Sequence, residues 1–138
     1  ILDWGEKNGS HEILILDGVA SKTHDGKAFC AAEEDLCRVM ESNDINMIPQ
    51  GFITGVAGGL LNECLMRPIQ GITLLVKAND KGADPLAAAT LLDAVNRAYG
   101  LNINTSDLRK KKKRIGEDFR ELSDKYTEHR KIDSNMYM

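Results

Sequence analysis

Gly51-Phe52-Ile53-Thr54-Gly55-Val56-Ala57-Gly58-Gly59-Leu60-Leu61 is the stretch whose reading decides the fold. Gly51 to Thr54 reads as a short apolar strand that runs into a glycine-rich turn, and the turn opens a helix. Ala57, Leu60, Leu61, Cys64 and Leu65 recur at helical spacing and form its inward face, and Pro68 lies beyond its end. A glycine pair in a first helical turn costs about 1 kcal/mol per residue against alanine, so something compensates. Close packing of helix on strand is one answer, because glycine has no Cβ to hold the two apart. A bound anion is the other, because the unpaired N–H groups of a helix start attract phosphate or carboxylate. Gly55, Gly58 and Gly59 are then a candidate ligand turn, although neither the P-loop nor the dinucleotide-binding spacing is present.

Similar units flank this one. Ile13-Leu14-Ile15-Leu16 is a continuous apolar run, which predicts a strand buried on both faces. A polar loop from Ser21 to Lys27 leads into a helix with Phe29, Ala32, Leu36 and Val39/Met40 inward. Ile72 to Val76 predicts another buried strand, and Asp84-Pro85 starts a helix, as a capping carboxylate followed by proline at the first helical position. Ala87, Ala88, Leu91, Leu92, Val95 and Tyr99 give its inward stripe, and Gly100 stops it. A last helix carries Leu108, Ile115, Phe119, Leu122 and Tyr126. Strands alternating with helices predict an α/β fold with a mostly parallel sheet between helical layers. Three strands make a thin sheet with bare edges, so further strands from upstream residues or partner subunits are expected.

The chain has 138 residues, 42% hydrophobic and 28% charged, as in an ordinary globular domain. No apolar run approaches the roughly 18 residues of a membrane span. Cys30, Cys37 and Cys64 have no metal-ligand spacing, which fits reduced thiols in a cytoplasmic protein and a shared helix face for the first two. The net charge of −3 is unevenly spread. Residues 1–104 hold 8 Lys/Arg against 14 Asp/Glu, whereas residues 105–130 hold 9 against 6.

Ligands of such sheets sit beyond the carboxyl ends of the strands. Asp17, Ser21, Thr23, His24 and Asp25 follow the first strand, and Lys77, Asn79 and Asp80 the last. His24 with Asp25 or Asp17 could serve as base and orienter, or the loop is simply solvated. His11, His24 and His129 are scattered and predict no metal site. Arg109-Lys110-Lys111-Lys112-Lys113-Arg114 puts six cations in the first turns of a helix, where the macrodipole disfavours them. Without aromatic interleaving the run suits an acidic protein surface, or a solvated face neutralised by Glu117, Asp118, Glu121 and Asp124, better than nucleic acid.

Taken together, Gly51 to Leu61, Ile72 to Ala78, Asp84-Pro85-Leu86-Ala87-Ala88-Ala89 and Leu101-Asn102-Ile103-Asn104 resemble archaeal members of the proteasome assembly chaperone 2 family. The resemblance spans roughly residues 13–104. It implies a three-layer α/β/α fold shaped like the nucleoside phosphorylases, no catalysis, no cofactor, and homo-oligomers that act on the proteasome core particle. Family members carry an upstream α/β segment with its own glycine-rich turn. Residues 1–130 are therefore expected to be the C-terminal part of the family domain, incomplete by itself. Residues 131–138 are expected to be a flexible docking tail.

Given that resemblance, Met136-Tyr137-Met138 looks like the hydrophobic–Tyr–any-residue motif by which such chaperones dock between proteasome α subunits. The chemistry is an apolar side chain, an aromatic anchor and a terminal carboxylate, with several tails adding avidity. The sequence thus predicts a cytoplasmic, non-enzymatic chaperone with no nucleic-acid or membrane partner. The alternative is an enzyme or binder of nucleoside- or phosphate-like molecules at Gly55–Gly59.

Overall fold

The computed structural model describes residues 1–80 and 82–111. Helix α1 (Leu2–Lys7) leads into strand β1 (Glu12–Ala20), followed by β2 (Ala28–Ala32), α2 (Glu34–Glu41) and the two-residue β3 (Asn46–Met47). Helix α3 (Gly55–Cys64), strand β4 (Gln70–Ala78) and helix α4 (Pro85–Tyr99) complete the core, and residues 106–111 begin a further helix. The sheet order is β1-β4-β2-β3. β1 runs parallel to β4, and β2 parallel to β3, while β2 and β4 are antiparallel. The α/β class and mostly parallel sheet are as the sequence predicts, with one antiparallel junction in the middle.

Successive residues of a strand face opposite sides of the sheet, and β4 shows the consequence. Ile72, Leu74 and Val76 face one side, where they form the main core with Cys30 of β2, Cys37 and Met40 of α2, and Ala87, Leu91, Ala94 and Val95 of α4. Gly71 faces the other, where a Cβ would lie 2.9 Å from that of Cys64 and 3.1 Å from Leu61 Cδ2, both on α3. Leu2, Cys64 and Ile69 form a second, smaller core on that side, flanked by Ile13 and Leu60. Helices therefore cover both faces, giving three layers.

α4 has complete end signals. The Asp84 carboxylate accepts from the N–H groups of Leu86 and Ala87, each at 3.1 Å, and Gly100 closes the helix in the left-handed conformation at φ 63°. Burial pushes the Asp84 carboxyl up. Backbone donors from Ala87, Asn79 and Leu86 outweigh this and hold it below the usual carboxylate range.

Four expectations are corrected. Phe29 and Ala32 belong to β2, not to a helix; their spacing to Leu36 imitated a helical stripe, but Cys30 and Ala28 alternate inward and pair with β4. Cys30 and Cys37 accordingly face each other from strand and helix, with sulfurs 3.7 Å apart, and share no helix face. Residues 51–54 form no strand, so the glycine turn is a loop–helix turn. Pairing beside β2 ends when the Ile48 N–H donates to the Cys30 carbonyl, because Pro49 has no N–H to continue it. Finally, Ile13–Leu16 is not buried on both faces. β1 is an edge strand, half-buried at Ile13 to Ile15 and exposed from Leu16 onward.

Candidate functional site

The glycine turn opens with Thr54 in extended conformation, whose side chain makes no capping hydrogen bond, and Gly55 at φ +68°. Only glycine adopts that angle without strain. A Cβ on Gly58 would stand 2.2 Å from the carbonyl oxygen of Ile53, so Gly58 lets the entering loop fold back against its own helix. A Cβ on Gly59 would meet nothing within 4 Å. The glycines expected to press helix on sheet thus do something else, and the close approach of α3 to the sheet is made by Gly71 on the strand.

Beside this turn lies a groove of about 570 Å³, lined mainly by apolar side chains, among them Ile48, Ile53, Leu61, Leu65 and Ile69. Arg67 is the lining cation among the described residues, and it is already held by Asp3, Glu6 and Glu63. A phosphate at Gly55, Gly58 and Gly59 would find helix N–H groups but no uncommitted positive side chain among the groove's lining residues. Several large apolar side chains close in sequence to the groove's lining residues are exposed. Phe52 is 99% exposed, Met66 84%, Val56 75% and Leu65 62%. Leu65, expected inward, follows the last turn of α3 and turns out to solvent. Phe52, Val56 and Met66 were not singled out by periodicity, which speaks only of the face turned to the core.

The acid–base pair suggested by His24 and aspartate is not assembled. Asp25 pairs with Lys77 at 2.9 Å and accepts from the Lys27 N–H; the Lys77 hydrogen bond holds its carboxyl below the ordinary range. Asp17 accepts from the adjacent Gly18 N–H. The Gly26 N–H donates to His24 Nδ1 at 3.0 Å, while His24 Nε2 is buried and makes no hydrogen bond among the described residues. His24 lines a smaller polar cavity of about 300 Å³ with Thr90, Asp93, Arg97 and Arg109.

The basic run begins at that cavity. Arg109 is paired with Asp93, whose other oxygen accepts from the Thr105 hydroxyl at 2.8 Å, and Lys110 lies 3.7 Å from Asp107. Lys112, Lys113 and Arg114, the stripe from Ile115 to Tyr126, and the candidate docking residues Met136, Tyr137 and Met138 lie outside the described residues. Among the described residues no helix is long and apolar enough to cross a membrane, and no three His, Cys, Asp or Glu side chains are placed to hold a metal ion.

Comparison with known proteins places these features. Residues 1–123 match the model of the PAC2 family. An uncharacterized protein of Methanocaldococcus jannaschii is 28% identical over 113 residues, which are 82% of this chain and 47% of that protein. Among solved structures, Pyrococcus furiosus PbaA, an archaeal homolog of proteasome-assembly chaperone, shares the fold with a TM-score of 0.86 at 24% identity, over 99% of this chain and 58% of that one. P. furiosus PbaB, an archaeal proteasome activator, is similar at 28% identity and a TM-score of 0.75, over 88% of this chain and 55% of that one. The chain spans about half the length of each of these relatives.

Proposed function

The chain belongs to the PAC2 family, and from that membership we propose that it is a non-enzymatic, cytoplasmic chaperone-like protein whose partner is the proteasome core particle. The single observation that carries this reading is the likeness to PbaB, an archaeal proteasome activator, through nearly nine-tenths of the chain. The docking element in this proposal is Met136-Tyr137-Met138, received in pockets between α subunits. Tyr137 supplies the anchor, with its ring in an apolar pocket and its hydroxyl bonded at the rim. Met136 packs beside it with an adaptable thioether chain.

Three residues bind weakly, so the proposal includes a homo-oligomer that presents several tails together. The exposed apolar side chains of Phe52, Val56, Leu65 and Met66 are available to such an interface.

Binding to purified archaeal core particles tests the reading. Removal of the last three residues, or Tyr137→Ala, should lower affinity at least tenfold, about 1.4 kcal/mol per site, and leave folding and oligomeric state unchanged. Equal binding by wild type and both variants would remove the tail from the account. A wild-type protein that ignores core particles but is stabilised by a nucleoside would favour the alternative at Gly55–Gly59.

A further inference from the structure

We propose that the cavity between the β1–β2 loop and α4 binds a small oxyanion, a phosphate or carboxylate group, held by His24, Arg97 and Arg109. This site is separate from proteasome docking and from the glycine turn.

The first observation is the histidine. Nδ1 receives a hydrogen bond from the Gly26 N–H, so Nδ1 carries no hydrogen and the neutral ring bears its hydrogen on Nε2. That N–H is buried and has no acceptor among the described residues. Buried donors are rarely left unpaired in native proteins, and each one that is calls for an explanation. His24 lines the cavity, and an acceptor inside it is the simplest partner.

The second observation is independent of the first and concerns the other wall. Arg97 donates through Nε to the Asn43 carbonyl at 3.2 Å. This fixes the guanidinium while its two terminal nitrogens make no hydrogen bond among the described residues. Arg109 is oriented by its pairing with Asp93, and Asp93 is itself engaged by Thr105. Arg97 and Arg109 face Asp93 here, and Asp84 is close enough to His24 to interact with it, so the charges of the site balance and its preference for an anion rests on the unpaired N–H donors.

The unspent groups are therefore N–H donors. An oxyanion needs donors, and a planar guanidinium matches carboxylate and phosphate geometry. A metal cation needs acceptors, and the oxygens of Asp93 are committed. The cavity of about 300 Å³ lies at the lower end of the range of ligand sites, which selects a small anion over a whole nucleotide. It also follows the carboxyl end of β1, where open α/β sheets bind their ligands.

The experiment is a thermal-shift and calorimetric titration of the full chain with inorganic phosphate, and separately with acetate, against chloride at equal ionic strength. Saturable stabilisation by phosphate at millimolar concentration is expected, and saturation by acetate in its place would assign the site to a carboxylate. Arg97→Gln, an exposed position, should weaken binding about tenfold or more, with only a small fall in the melting temperature of the unliganded protein from loss of the bond to the Asn43 carbonyl. His24→Gln should weaken it too, with loss of the ring N–H resonance that phosphate shifts in the wild type. No saturable effect of either anion up to tens of millimolar, or unchanged binding by Arg97→Gln, would overturn the proposal.

Discussion

The two faces of the sheet are built to different standards. On the α4 face, Leu74 and Ile72 are fully buried, the helix is capped by Asp84 at one end and closed by Gly100 at the other, and the core is continuous from β2 through α2 to α4. On the α3 face, the helix starts without a side-chain cap, its buried cluster is small, and four large apolar side chains around it stand in solvent. A sheet face satisfied within the chain reports stability. Bare apolar groups gain from cover, because their burial is worth about 25 cal/mol per Å².

The contrast breaks most easily at its extremes. Leu74→Ala should cost about 2–5 kcal/mol in urea unfolding, whereas Phe52→Ala should stay within about 0.5 kcal/mol. Phe52→Ala should instead lower self-association by light scattering. A large loss of monomer stability from Phe52→Ala would show that the α3 face is closed by the chain itself.

Within α3 the same contrast separates neighbouring glycines. Gly58→Ala drives a Cβ against the Ile53 carbonyl and should cost about 1–3 kcal/mol, with the 51–55 loop displaced. Gly59→Ala enters open space and should stabilise by up to about 1 kcal/mol through helix propensity. Equal effects at the two positions would mean that the loop does not fold back on the helix.

The α4 cap gives the smallest effect and a pH signature. Asp84→Ala should cost about 0.5–2 kcal/mol at neutral pH. The Asp84 carboxyl is held below its unfolded value, so its stabilisation is present above the ordinary carboxylate range and is lost as pH falls through the folded value. Melting temperatures of wild type and variant should therefore converge toward acid. A constant gap down to acid pH would assign the capping bonds no role in stability.

α4 was legible in the sequence because its signals are local: a carboxylate, a proline and a glycine at fixed offsets. Its inward stripe was read with a slight roll, since Ala89, Thr90 and Ala94 are buried where Ala88 and Leu92 are only half so. β2 was not legible. Five residues at the inner edge of a polar loop carry too little pattern, and Phe29, Ala32 and Leu36 fit a helical period by coincidence, so pairing with β4 decided the outcome. The candidate anion site was half visible. His24 and the basic run were both noticed, but 85 residues separate His24 from Arg109, and only folding brings them to one cavity with Arg97. The exposure of Phe52, Val56 and Met66 carried no signal, and that of Leu65 ran against its helical spacing, because single exposed hydrophobics do not differ in sequence from buried ones.

The placement of the three thiols makes the molecule its own clock. Cys30 and Cys37 lie in the core under α4, and Cys64 lies under α3. Burial pushes the Cys30 thiol up to about 12, so an alkylating reagent in neutral buffer reaches Cys30 and Cys37 only when the surrounding layer parts, whereas Cys64 lines the open groove. The delay between the first mass increment and the next two then reads out the opening of the α4 layer. Cys64 should be modified first, from the groove, with Cys30 and Cys37 keeping time for the whole fold.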